Sequence, residues 1–284
     1  MKKLFTLLIA LLLVVSLGGC SSSSDSNNSE NSEAVQEIAN ENKDLLTTIK
    51  ERGYITVATE GDWSPYTYHD ENTGELVGFD VELAKLIADK LGVEVQYQET
   101  DWESILAGVQ SGRYDLAING VTYTEERAQS FNFSNPYAQM DAVLIVAADN
   151  NDITSFDDLA GKKTTNSNGS IYAEWAEEYG ATVEIVPTFQ ETMTMLIDGR
   201  ADASINAISA FNDYSRAMEE AGQELEVKIA AYADPEKYVI AAQKDSKTES
   251  LITEINNILD ELKEDGTLAA LSEKYFGFDA TVTD

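Results

Sequence analysis

The chain has one cysteine, one histidine and few cations: of its 284 residues only 19 are Lys or Arg, against 51 Asp or Glu. Each scarcity excludes something. A lone cysteine cannot close an internal disulfide. A lone histidine argues against a zinc site, and no metal or other cofactor is expected. A formal net charge of −32 makes a surface that repels nucleic acid and anionic membrane faces, so neither is expected as a partner. The charge itself reads as a well-solvated surface. The apolar run Leu4–Val15 is only twelve residues long, short of the ~20 needed for a spanning helix. What is present, 43% hydrophobic and 25% charged residues, is ordinary globular composition, in a chain long enough for two modest domains.

Lys2-Lys3 followed by Leu4–Val15 reads as a targeting segment over residues 1–19. The only cysteine comes next, in Leu17-Gly18-Gly19-Cys20. This junction resembles the lipobox of bacterial lipoproteins, which implies that Cys20 becomes a lipidated N-terminus on the extracytoplasmic face of the cell membrane. Residues 20–44 are rich in Ser, Asn and Glu and read as a flexible tether, with the folded part starting at Leu45.

The informative stretch is Ser111–Arg127, SGRYDLAINGVTYTEER. Gly112 fits the position just past a helix. Tyr114–Ile118 reads as a short buried strand. Asn119-Gly120 breaks it, and Thr122 and Thr124 precede a helix start at Glu125–Arg127. Open α/β sheets bind ligands beyond the carboxyl ends of such strands. Backbone N–H groups converge there and Arg127 adds a fork suited to a carboxylate; the plainer reading makes Arg127 a surface partner of Glu126. Asp198–Ala207, DGRADASINA, repeats the pattern 87 residues later. Each copy follows an amphipathic run, Trp102–Gln110 and Phe189–Ile197, so two similar α/β lobes are expected to face each other across a cleft.

The remaining chain fits. Tyr54–Thr59 is a first strand ending in the loop Glu60–Tyr66. Asp80 is expected to cap a helix whose apolar face carries Leu83, Ala84, Ile87, Ala88 and Leu91. Val93, Val95 and Tyr97 alternate as a strand, and Thr100 with Glu103 forms an expected capping box. Together these give a parallel α/β lobe. Asp141–Ala148 is a further strand, after which the pattern restarts, with Ser170 and Thr188 as helix caps.

At these residues the chain resembles the polar amino acid solute-binding proteins of ABC importers, solute-binding family 3. The similarity runs from about Ile49 to Phe276, through ITVATEGDWSPYTYHDENTGELVGFDVELAKLIADKLGV, DWESILAGVQSGRYDLAINGVTYTEERAQSFNFSNPY and LKEDGTLAALSEKYFG. The resemblance implies a two-lobed, type II periplasmic-binding-protein-like α/β fold with two strand crossovers as hinge. Lobe 1 is expected over 45–143 and 239–284, lobe 2 over 148–233, and the hinge near 143–148 and 233–239.

It also implies site roles. Arg127 and Thr122 would hold a ligand α-carboxylate, and the Gly120 carbonyl would meet the α-amino group. Trp63 and Trp102 would pack on the ligand side chain, and the loop Gly169, Ser170, Ile171 would offer backbone N–H groups. One position departs: Ala207 stands where the family usually has an aspartate for the ligand ammonium, in Ser204-Ile205-Asn206-Ala207. Either Glu60 takes that role, or the ligand is not a standard α-amino acid; Asn206 is a further expected ligand-binding residue. INAISAFNDY and SNGSIYAEWAEEYGA look closest to the cystine-type branch. Asp115 and Asp202 are expected to orient the repeated turns rather than touch ligand, and His69 to sit in an exposed loop.

The function this implies is capture of a polar amino acid, with cystine as one candidate, by a lipid-anchored monomer that serves an ABC permease and its ATPase. No reaction is expected. A dehydratase-type enzyme on the same fold, and a surface sensing or adhesion protein using the same pocket, are the competing readings.

Overall fold

The computed structural model describes residues 43–281. The expected targeting segment, the Cys20 lipidation site and the tether up to residue 42 lie outside the described residues. The last two residues assigned to the tether are folded. Asp44 caps the helix Leu45–Arg52, its carboxylate accepting the Thr47 N–H at 2.9 Å, and Lys43 pairs with Glu51.

Two sheets carry the molecule, and they repeat one plan. In the first, the order is Glu94–Glu99, Tyr54–Thr59, Leu116–Ala117, Ala241–Gln243, Phe131–Phe133. The first three strands are parallel, and Ala241–Gln243 runs antiparallel to both of its neighbours. In the second, Thr182–Ile185 lies parallel to Lys163–Asn166, which meets the next strand through a parallel Thr164–Ala203 bridge. Ser204–Ala207 and Val227–Tyr232 then flank Ala142–Ala147, both antiparallel to it. The sheets are therefore mixed, where a purely parallel lobe is the sequence expectation. The difference arises because strands from elsewhere in the chain fill the fourth place of each.

The duplicated Gly-Arg-x-Asp turn has one job in both copies. The Asp115 carboxylate accepts the Thr56 N–H at 2.6 Å, and the Asp202 carboxylate accepts the Lys163 N–H at 2.8 Å. Each aspartate ties its strand to the parallel neighbour, as expected of an orienting residue. Asp115 also pairs with Arg52.

The stretch Val143–Ala148, where the first crossing is expected, falls mostly on the strand Ala142–Ala147, central in the second sheet. Its all-apolar AVLIVA sequence suits burial on both faces. Ala138–Met140 and Glu236–Tyr238 pair antiparallel with each other.

Three local expectations are corrected. Asp80 does not cap its helix: it lies inside Phe79–Leu91, which starts two residues earlier than such a cap would place it, behind Gly78 at φ 133°. Asp80 is buried and accepts the Gly120 N–H at 2.6 Å. The helix Trp102–Gln110 is capped by Asp101, not Thr100, because the Asp101 carboxylate reaches the Ser104 N–H. The helix expected to begin at Glu125–Arg127 is a single 3-10 turn, Arg127–Gln129, before the chain enters the strand Phe131–Phe133.

Candidate functional site

The carboxyl ends of both sheets look onto one cavity, with about 590 Å³ of empty space including its open mouth. That is the scale of a small-molecule site. Glu60, Trp63, Trp102, Gly120, Thr122, Arg127, Ser170, Ile171 and Asn206 all line it. Gly169 is not among the lining residues; its carbonyl accepts the Trp102 indole N–H at 3.1 Å and Arg127 Nη2 at 3.2 Å.

Arg127 is buried, and the Thr124 hydroxyl accepts its backbone N–H at 3.0 Å. Its Nη1 donates to the Thr122 carbonyl at 3.2 Å, and its guanidinium lies 5.6 Å from the Trp102 ring. Among the described residues no carboxylate pairs with it. Burial depresses its pKa, opposed by Glu174 and Glu236. A guanidinium desolvated this far gains most from a charge-assisted acceptor.

Opposite in sign, Glu60 directly follows the strand Tyr54–Thr59. Its carboxyl is pushed up to about 7 by burial, against the pull of a hydrogen bond from Asn119. Asn119 is fully buried. Its amide donates to Glu60 Oε2 at 2.7 Å while its oxygen accepts the Glu60 N–H and the Thr59 hydroxyl, both at 2.9 Å. Glu60 is thus held in place, and a ligand cation beside it would restore its charge.

Trp63 stacks on Tyr66 with centroids 4.1 Å apart, and its indole N–H donates to Asn206 Oδ1 at 3.4 Å. Gly120 lets the ring approach: a Cβ there would sit 2.6 Å from the indole, on a backbone at φ +55°. Ala207 is fully buried and is not on the cavity wall; its N–H is taken by the Asn206 side chain at 2.9 Å. Further bonds join the two halves: Ser64 to Asp213 at 2.5 Å, and Tyr66 to Ser209 at 2.5 Å.

The model of the bacterial extracellular solute-binding proteins, family 3, matches residues 55–278. The chain belongs to this family. It is 35% identical over 282 residues to the L-cystine-binding protein TcyA of Bacillus subtilis (strain 168), covering 99% of this chain and 100% of that one. An ancestral arginine-binding protein bound to arginine is 37% identical at a TM-score of 0.72, over 80% of this chain and 99% of its own. The L-cystine solute receptor of Neisseria gonorrhoeae, in the unliganded open conformation, is 36% identical at a TM-score of 0.55, over 84% of this chain and 99% of its own.

Sequence reasoning misses several wall residues of this solute-binding protein: Asp62, Asn119, Asn166, Ser167, Tyr172, Pro187, Phe189 and Thr192. Asn119 was within reach, since Ile118-Asn119 repeats as Ile205-Asn206. Asn166 follows the same logic at the end of the strand Lys163–Asn166, where its amide donates to the Ile205 carbonyl at 2.7 Å. Phe189 and Thr192 sit on a helix whose spacing speaks only for its core face. His69 lies outside the site, exposed and paired with Glu99.

Proposed function

We propose that this solute-binding protein captures a polar amino acid between its two halves and presents it to an ABC permease and its ATPase, with cystine the first candidate. The observation that carries this reading is that one small cavity is lined by both an acid and a base: buried Arg127 and Asn119-clamped Glu60. A zwitterionic amino acid satisfies both at once. Trp63 and Trp102 then flank the side chain, whose apolar stem or cation suits an indole face. Glu60 stands in for the aspartate that Ala207 replaces.

Closure is the working motion. Ala138–Met140 and Glu236–Tyr238 are the hinge, and the halves are lobes of about 43–137 with 239–281, and 142–233. Bonds across the cleft, such as Trp63 to Asn206 and Arg127 to Gly169, form only when the lobes meet. The lower TM-score with an open relative of similar identity supports reading this arrangement as closed. Binding without a reaction is favoured over an enzyme by the relatives, which are named for what they bind. The monomer stays at the outer face of the membrane through lipid on Cys20; no helix of the described residues is long and apolar enough to cross a bilayer. Mass spectrometry of the native chain is expected to find acylated Cys20, and an unmodified cysteine would remove the anchor.

A thermal-shift series tests the binding reading. L-cystine, L-arginine and L-glutamine are compared with a des-amino acid and a sugar. A ligand at a hundred times its Kd adds ~2.7 kcal/mol, a rise of roughly 5–10 °C for a domain of this size. A shift with the des-amino acid or the sugar alone would defeat the reading.

A further inference from the structure

Glu236 stands on the hinge strand Glu236–Tyr238, 5% exposed. Its Oε2 accepts the Thr122 hydroxyl, and its Oε1 is buried with no hydrogen-bond partner. Arg127 from the site loop attracts its charge, and the buried phenols of Tyr66, Tyr172 and Tyr238 are each shifted upward in part by Glu236. On its outer side a groove carries Glu178, Asp234 and Lys237. Glu236 does not line the ligand cavity, but Thr122 does, beside Arg127.

This places two acceptors on one donor. The Thr122 hydroxyl has a single proton, and here Glu236 takes it. A ligand carboxylate on Arg127 would need the same proton and would bring a second negative charge near Glu236, in a place too dry to hold two cheaply.

We propose that Glu236 is a positioning residue of the carboxylate site: it takes up a proton as the ligand binds and so hands the Thr122 hydroxyl to the ligand. The proton comes from solvent onto Glu236 Oε2. Glu236 then donates to Thr122 Oγ, and the Thr122 O–H turns to the ligand carboxylate. No covalent bond changes beyond the O–H that forms on Glu236. The orphaned Oε1 becomes part of a neutral carboxyl, which costs far less to bury. Burial already raises Glu236 to about 7, against the pull of the Thr122 hydrogen bond and of the Arg127 charge, so the proton is available near neutral pH. The inference rests on Arg127 and Thr122 holding a ligand carboxylate, as proposed above.

The test is titration calorimetry of wild type and Glu236→Gln with L-cystine, L-arginine and L-glutamine, at pH 7 in phosphate and in Tris. The heat difference between buffers counts protons. Wild type is expected to take up on the order of half a proton more than the variant. Glu60 faces the ligand ammonium and releases protons, but it does so in both proteins. From pH 7 to 8.5, wild-type affinity is expected to fall relative to the variant by up to about tenfold per unit. Should the variant not fold, infrared difference spectra of Glu60→Gln, in which the opposing Glu60 signal is gone, decide: saturating ligand must bring up a protonated-carboxyl band. Binding with equal proton counts, or no such band, would overturn the role of Glu236 alone. No heat with any of the three amino acids would overturn the functional reading itself.

Discussion

Arg127→Ala is expected to lower amino acid affinity by a hundredfold or more while the protein stays folded. Hydrogen bonds to charged groups contribute about 1.5–3 kcal/mol each, and a guanidinium offers a carboxylate two of them. Each ~1.4 kcal/mol is tenfold in Kd. Arg127 also donates to the Thr122 and Gly169 carbonyls, so its loss loosens the cleft as well as the contact. Lysine would restore the charge but not the fork, and should recover only part of the affinity. Glu60→Gln isolates the other end of the ligand. It keeps the shape and the Asn119 clamp, and should weaken an amino acid while sparing its des-amino analogue. Titration calorimetry with both ligands reads all three variants. Wild-type affinity in Arg127→Ala would move the carboxylate elsewhere, and wild-type affinity in Glu60→Gln would remove Glu60 from the ammonium.

The second large effect concerns stability rather than binding. Gly78→Ala places a Cβ 2.1 Å from the Tyr66 carbonyl oxygen and 2.9 Å from the Thr67 nitrogen, on a backbone at φ +133°. Backbone atoms cannot swing aside as a side-chain tip can. The same contact is where the loop carrying Trp63 is fastened to the helix Phe79–Leu91, by Phe79 N–H to the Pro65 carbonyl and Asp80 N–H to the Tyr66 carbonyl, both 3.0 Å. Backbone strain and overpacking each contribute on the order of 1–3 kcal/mol, so a loss of about 2–6 kcal/mol is expected in urea unfolding. Gly53→Ala is the control. It too has positive φ, +82°, but nothing lies within 4 Å of its added Cβ, and it should cost about 1–2 kcal/mol. Equal losses at the two positions would refute the steric account.

Much of this was legible in the sequence because the fold is stated twice. The repeated Gly-Arg-x-Asp-strand-Asn pattern announces two halves, and the polar loops after those strands announce the cavity between them. Arg127, Thr122 and both tryptophans follow from that and from the family resemblance. What resists reading are choices made by distant backbone. Asp80 looks like a cap because Asp often is one, yet tertiary structure turns it inward to the Gly120 N–H. Asp101 displaces Thr100 because a carboxylate one residue later reaches the exposed amide. Ala142–Ala147 reads as an apolar strand, but nothing local names its two antiparallel partners, Ser204–Ala207 and Val227–Tyr232. Glu236 carries no local sign at all; only the fold sets it against Thr122.

The strand order also sets a timetable. Phe131–Phe133 touches the rest of the first sheet only through Ala241–Gln243, whereas the strands of the second sheet all fall within 142–232. A chain that emerges from its N-terminus can therefore finish the later half while the earlier one still waits for residues not yet made. Until Ala241–Gln243 arrives, Leu116–Ala117 keeps an open edge, the kind that pairs with the wrong chain. The half that begins the sequence is the last to be completed.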